Sequence, residues 1–216
     1  MLGFRFDSLT LPPQAEATRK RIRAFLVKER DAGTFVPHRC SWNTFDAGFS
    51  KRAGAAGFIG MTWPKKYGGH ELTTLDRFVV TEEILAAGAP CGAHWIADRQ
   101  TGNQILRHGS ERARQMILPR IARGECYTGI GMSEPNSGSD LAAVKTRAVK
   151  VDGGWKINGS KIWTTNAHRA HYLIALVRTE AATAERHKGM TQFVIDLAAP
   201  GVTARPIRNM SGEEEF

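Results

Sequence analysis

The chain has 216 residues, 42% of them hydrophobic and 24% charged, which excludes disorder and collagen-like order and leaves room for one large or two small domains. Thirty Lys and Arg against 21 Asp and Glu give a net charge of +9, an excess that invites an anionic partner: nucleic acid, anionic lipid or a phosphate-bearing small molecule. No apolar run approaches the ~20 residues of a membrane helix, residues 1–10 lack the pattern of a signal peptide, and Cys40, Cys91 and Cys126, far apart and without CxxC spacing, argue against a disulfide framework or zinc site and fit a reducing cytosol.

Residues 12 to about 124 carry helical signals. Pro12 and Pro13 suit a helix start, because the first turn leaves its backbone donors unpaired anyway. Ile22, Phe25 and Leu26 then recur at helical spacing on one buried face, with Gly33 as the stop. The basic run Arg19-Lys20-Arg21-Ile22-Arg23 reads as the solvated face of this helix. Phe45, Phe49 and Ala53 mark a short second helix ending near Gly57, and residues 62–69 form a loop in which Pro64 restricts Trp63. Thr73 or Thr74 caps a third helix carrying Leu75, Phe78, Val79 and Leu85. Another runs from about Cys91 to His108. Ser110 caps a last one, which Pro119 should kink or end.

Past Gly124 the period changes. Segments 127–133, 146–151, 155–158, 170–178, 190–196 and 202–208 are short, rich in β-branched and aromatic residues, and separated by turn signals, Asp152-Gly153-Gly154 among them. With no helix between them, the strands are expected to be antiparallel, in a barrel or sandwich. The expected fold class is α+β, a helical domain over 1–124 followed by a β domain over 125–216.

Several signatures fail. Gly129-Ile130-Gly131-Met132-Ser133-Glu134 lacks the third glycine of a dinucleotide fingerprint, residues 154–161 imitate a phosphate loop but end Gly-Ser-Lys, His70-Glu71 has no second histidine at zinc spacing, and no G-x-S-x-G elbow occurs. His168 and His171 read as surface or hydrogen-bonded structure rather than as metal ligands. What remains is residues 129–140, dense in glycine, serine and acid. Glycines let backbone amides approach a ligand closely, and concave amides hold a pyrophosphate, with hydroxyls from Ser133 and Ser139. About twenty residues on, Asn158-Gly159-Ser160-Lys161-Ile162-Trp163-Thr164-Thr165-Asn166 sets an indole beside hydroxyls, suited to cover a planar ring and bond its edge. Alone, either stretch reads as a turn or a core tryptophan. Together they suggest a flat, phosphate-bearing cofactor.

Met-Ser-Glu-Pro-x-x-Gly-Ser-Asp at 132–140 and Asn-Gly-x-Lys-x-Trp-x-Thr-Asn at 158–166 resemble the acyl-CoA dehydrogenase family of flavoenzymes. Trp-Pro-x-x-Tyr-Gly-Gly at 63–69, His108-Gly109-Ser110-Glu111, Pro200-Gly201-Val202 and Met210-Ser211-Gly212 extend the resemblance over nearly the whole chain. It implies a helical domain, a β-barrel domain and a C-terminal four-helix domain, with FAD between the last two. By that resemblance Ile130, Met132 and Ser133 line the flavin. Gly138 and Ser139 meet its pyrophosphate or ribityl region, with Ser139 also on the CoA arm. Trp163 packs on the isoalloxazine, with Thr164 and Thr165 near N5. Asp140 is expected to brace its loop, and Glu134 to bind loop amides and fix the turn.

The implied reaction is α,β-dehydrogenation of an acyl-CoA thioester: a carboxylate base takes the α-proton, hydride passes to flavin N5, and electrons go on to an electron-transfer flavoprotein. The resemblance also implies a homo-oligomer, tetramer or dimer; the cysteine pattern points to the cytoplasm, and neither a nucleic-acid partner nor a membrane span is expected. The chain stops at Phe216, before the family's catalytic glutamate and C-terminal helices. None of Glu82, Glu83, Glu111, Glu125 or Glu134 matches the base's motif, so no catalytic residue is assigned. A fragment, a truncated product or one piece of a split assembly is expected, with an unpaired sheet edge and exposed apolar helical surface. A same-fold oxidase or flavin monooxygenase, or a non-catalytic subunit, stays open, although the Ser-Glu-Pro…Gly-Ser-Asp loop leans to the dehydrogenases. Residues 94–98 fall where the family lines its acyl pocket, and they read equally as packing.

Overall fold

The computed structural model describes residues 10–181 and 184–216. Residues 1–9, part of the segment without a signal-peptide pattern, and 182–183, inside the polar stretch 180–188 whose composition predicts an exposed loop, lie outside the described residues. Helix α1 (Pro13–Asp31) starts on its proline as expected, and the chain leaves it through Gly33 at φ +67. Helix α2 (Ala47–Ala55) is capped by Asp46, whose carboxylate accepts from Phe49 N at 2.8 Å. Helix α3 (Thr74–Ala86) opens with a capping box between Thr73 and Asp76. Helices α4 (Gly92–Ile96) and α5 (Gly102–His108) are joined by a π-helical turn, Ala97–Thr101. Ser110 caps α6 (Glu111–Ala122), which runs through Pro119 rather than ending there. Among the described residues no helix is long and apolar enough to cross a membrane.

Helix α3 is rotated from its expected face. Val79, Val80 and Ile84 are buried, whereas Leu75, Phe78 and Leu85 are 40%, 50% and 37% exposed. The inward face carries two acids instead. Asp76 accepts from Gln14 Nε2 at 2.8 Å and Thr18 Oγ1 at 2.6 Å on α1. Glu83 takes Arg19 at 2.6 Å and Arg23 at 2.8 Å. Two arginines of the basic run are therefore committed to α3 rather than free to meet an anion. Thr73→Ala should cost about 1–2 kcal/mol, since it removes an N-cap and a donor to Asp76 together. A chemical melt within about 0.3 kcal/mol of wild type would contradict this.

The sheet departs from the antiparallel barrel. β4 (Tyr172–Arg178) is its axis, with β5 (Met190–Asp196) antiparallel along one edge. Along the other edge β1 (Thr128–Gly131) runs parallel to it, Thr128 opposite Tyr172. Further along, β2 (Arg147–Val151) joins that edge through one parallel bridge, Arg147 to Arg178, and carries β3 (Gly154–Asn158) as a hairpin over the expected Asp152-Gly153 turn. The long connection from β1 to β4, residues 132–171, is what permits parallel pairing. The expected strand at 202–208 does not form: Pro206 has no donor for a ladder, and only an isolated bridge, Arg208 to Glu214, remains. The sheet is open among the described residues. Both layers share one core, in which Phe49, Trp63, Ile105 and Leu118 of the helical part reach Ile174 on β4. A hydroxyl contact from Thr101, in the π-helical turn, to Thr128 joins the helices to the first residue of β1.

Candidate functional site

The chain leaving β1 makes a tight turn. Glu134 N donates to Ser137 O at 2.7 Å, Ser137 N returns to Glu134 O at 3.0 Å, and Ser137 Oγ holds Asp140 O at 2.7 Å. The Glu134 carboxylate is buried, 8% exposed. It accepts from Lys145 N at 2.7 Å, Thr146 N at 2.9 Å and Lys161 Nζ at 2.9 Å. Burial alone would raise its pKa, but the donors from Thr146, Lys145 and Lys161 outweigh that and bring it down to about 2. Glu134 thus fixes the turn through backbone amides, as its local reading suggests. Asp140 pairs with Arg186 at 2.5 Å. Gly138 and Ser139 are exposed, and a side chain added at Gly138 would meet nothing within 4 Å.

The second stretch lies against the first. Lys161 Nζ also donates to Met132 O at 3.0 Å, and Ile162 N donates to Ser133 O at 3.0 Å. The two β1 glycines make room for this: a Cβ on Gly131 would sit 3.2 Å from Lys161 Cγ, and one on Gly129 would sit 3.0 Å from Thr164 Cγ2. Trp163 stands between these contacts, 59% exposed, with φ at +59. A bulky residue in the left-handed region is an outlier that costs about 1–3 kcal/mol and persists only where its surroundings enforce it. The indole meets Phe216 edge-on, ring centroids 5.8 Å apart. Thr164 is buried, and its Oγ1 has no protein partner. Thr165 is half-buried, and Asn166, at φ +54, donates its N–H to Glu215 O at 2.7 Å. Trp163 and Thr164 border a cleft of about 300 Å³ that also touches Leu173, Val202 and Phe216.

The structure therefore brings Met132 and Ser133 beside 161–164, with Ile130 half-buried on β1, and leaves Gly138 and Ser139 at the exposed end of the turn. Lys161 and Thr146 were missed by the sequence reading. The signal was a glutamate in a motif headed inward, which demands a cation and amide donors; Lys161 is the cation that its partner motif offers.

The remaining carboxylates are engaged elsewhere. Glu82 pairs with Arg19 at 2.8 Å, Glu111 accepts from Tyr67 OH at 2.8 Å, and Glu125 pairs with Arg123 at 2.9 Å. His94 is buried, 3.1 Å from Ser50 Oγ, and burial lowers its pKa to about 4. Burial raises the pKa of Asp98, which accepts from Gly60 N at 2.7 Å. His171 Nδ1 accepts from Tyr127 N at 3.1 Å, while both ring nitrogens of His168 are buried without partners. Among the described residues no group of three His, Cys, Asp or Glu can hold a metal ion.

Family profiles match both parts of the chain: acyl-CoA dehydrogenase, N-terminal domain, over residues 12–125, and acyl-CoA dehydrogenase, middle domain, over residues 129–215. Acyl-CoA dehydrogenase FadE26 of Mycobacterium tuberculosis (strain ATCC 25618 / H37Rv) is 29% identical over 213 residues, covering 95% of this chain and 53% of FadE26. Mitochondrial isovaleryl-CoA dehydrogenase of Oryza sativa subsp. japonica is 38% identical over 174 residues, covering 78% of this chain and 42% of that enzyme. The ChsE4-ChsE5 complex from Mycobacterium tuberculosis superposes with a TM-score of 0.81 at 28% identity, covering 97% of this chain and 54% of the matched one. The chain spans about half the length of the relatives it matches.

Proposed function

The chain belongs to the acyl-CoA dehydrogenase family, and from that premise we propose that it provides one wall of an FAD site for the α,β-dehydrogenation of an acyl-CoA thioester. The observation that carries the reading is Trp163: a large aromatic face held toward solvent on a strained backbone, beside a buried Thr164 hydroxyl without a partner. A protein that only needed a core tryptophan would bury the indole and relax the backbone. These groups fit a flat, polar-edged ring. Trp163 packs on it, Thr164 and Thr165 offer hydroxyls to its edge, and Ile130, Met132 and Ser133 line its flank. The open turn at Gly138 and Ser139 offers amides and a hydroxyl to the pyrophosphate, with Ser139 also toward the CoA arm.

When bound, FAD supplies the hydride acceptor. This chain's own part is to orient the ring and exclude water from one face. Its candidate carboxylates are already held by arginines, Tyr67 or loop amides, so none is assigned the α-proton. We assign that proton to a carboxylate on polypeptide beyond these residues, in the same chain or a partner. An electron-transfer flavoprotein as acceptor and an oligomeric assembly belong to the same proposal, as do the division at 124/125 and a role in lipid oxidation.

The test is a visible spectrum during FAD titration. The flavin band should shift and sharpen near one equivalent, without bleaching on addition of acyl-CoA. Trp163→Ala should weaken FAD at least tenfold, about 1.4 kcal/mol. An unperturbed flavin spectrum with the wild-type chain at high protein concentration would sink the reading.

A further inference from the structure

We propose that Lys161 is a positioning residue for this site: its buried ammonium sets the spacing between the end of β1 and the Trp163 loop. The inference rests on the flavin reading above for its purpose, though not for its geometry.

The Lys161 side chain is 8% exposed, and so is that of Glu134. Burying an ion pair gains little stability over an apolar pair of the same volume, so such a pair is better explained by the geometry it enforces. Here it accompanies three successive close approaches to β1 and its exit. Lys161 Nζ takes Met132 O at 3.0 Å, Ile162 N takes Ser133 O at 3.0 Å, and the Thr164 methyl lies where a Cβ on Gly129 would be 3.0 Å away. Trp163 is the residue between the second and third contacts. Its positive φ turns the indole outward, a conformation that needs flanking residues pinned on both sides. The lysine stem runs past Gly131, where an added Cβ would sit 3.2 Å from Lys161 Cγ and 3.1 Å from Leu173 Cδ2, so that the stem or the leucine would have to shift by a few tenths of an ångström.

Glu134 does not depend on Lys161 alone, since Lys145 N and Thr146 N hold the same carboxylate. Lys161→Met therefore keeps the stem's volume and leaves the acid two amide donors. It strips the donor from Met132 O and the cation from Glu134, and with them the tie between the turn and the Trp163 loop. A role in overall stability and a role in positioning then give different results.

Two readouts separate them: residue-level amide exchange, and FAD titration of the full 216-residue chain. For Lys161→Met, exchange over residues 162–166 should rise at least tenfold while residues 172–178 of β4 keep their protection. FAD affinity should fall at least tenfold. Wild-type exchange over 162–166 overturns the proposal, and so does a uniform rise that includes β4. A wild-type chain that leaves flavin unperturbed refutes the flavin reading and the cofactor half of this inference. The exchange comparison still decides whether Lys161 holds the loop.

Discussion

Glu134→Ala is expected to cost about 3–5 kcal/mol of folding stability, among the largest losses any single side chain here can produce. The substitution strands a lysine ammonium in a site where its side chain is 8% exposed. It also leaves Lys145 N and Thr146 N without their acceptor, and each buried donor left unpaired costs about 1–3 kcal/mol before relaxation. Lys161→Met should cost less, because the carboxylate loses its cation but keeps two amides. The asymmetry between the two partners separates this arrangement from a simple ion pair. The pH dependence follows from the same contacts. The folded carboxyl titrates at about 2, below its ordinary 4.5, so its contribution is present above pH 4.5 and is lost as the pH falls toward 2. Urea melts of wild type should therefore weaken across that window, and Glu134→Ala should lack this part of the slope. A variant within 1 kcal/mol of wild type at neutral pH, or one with an unchanged acid slope, would contradict the assignment.

Helix starts were legible because a cap is a local matter. Pro13, Thr73 and Ser110 announce helices by chemistry contained within four residues. The Asp152-Gly153 hairpin is local in the same way. Partner choice is not. The face of α3 could not be read from its apolar period, because Asp76 and Glu83 look solvent-bound until Thr18, Arg19 and Arg23 arrive from α1. The parallel pairing of β1 with β4 was hidden for the same reason: strand composition reports faces, not neighbours. At the site, the two motifs were legible as ligand-facing loops. Their lock was not, because Lys161 and Glu134 lie 27 positions apart and only the fold makes them adjacent. The left-handed backbone of Trp163 was also hidden, since a tryptophan between Ile162 and Thr164 carries no local signal for a positive φ.

Trp63→Ala should rival the Glu134 loss, at about 3–5 kcal/mol, and its origin can be isolated. The indole is 1% exposed, and its Nε1 donates to Asn103 Oδ1 at 3.0 Å. Three glycines press on this residue. A Cβ on Gly60 would lie 3.0 Å from Trp63 Cε3, one on Gly69 would lie 2.1 Å from Trp63 O, and one on Gly102 would lie 2.4 Å from Cζ2 and Cη2. Gly102→Ala is therefore an overpacking change, costing about 1–3 kcal/mol in the wild-type background. Phenylalanine at 63 lacks the outer indole atoms that the new methyl would strike. The pair Trp63→Phe and Gly102→Ala should therefore be at least 1 kcal/mol less damaging than the sum of the single changes, a coupling expected only for residues in contact. The rescue should stay incomplete, because the same Cβ would also lie 2.6 Å from Ala97 O in the π-helical turn. That turn carries Thr101, whose hydroxyl meets Thr128 at the start of β1. Trp63 thus packs against Gly102, the neighbour of the threonine that meets the start of β1, the strand that leads into Met132 and Ser133. Additivity of the two substitutions within about 0.5 kcal/mol in a chemical-denaturation cycle would show that the glycine contacts do not set the indole's packing.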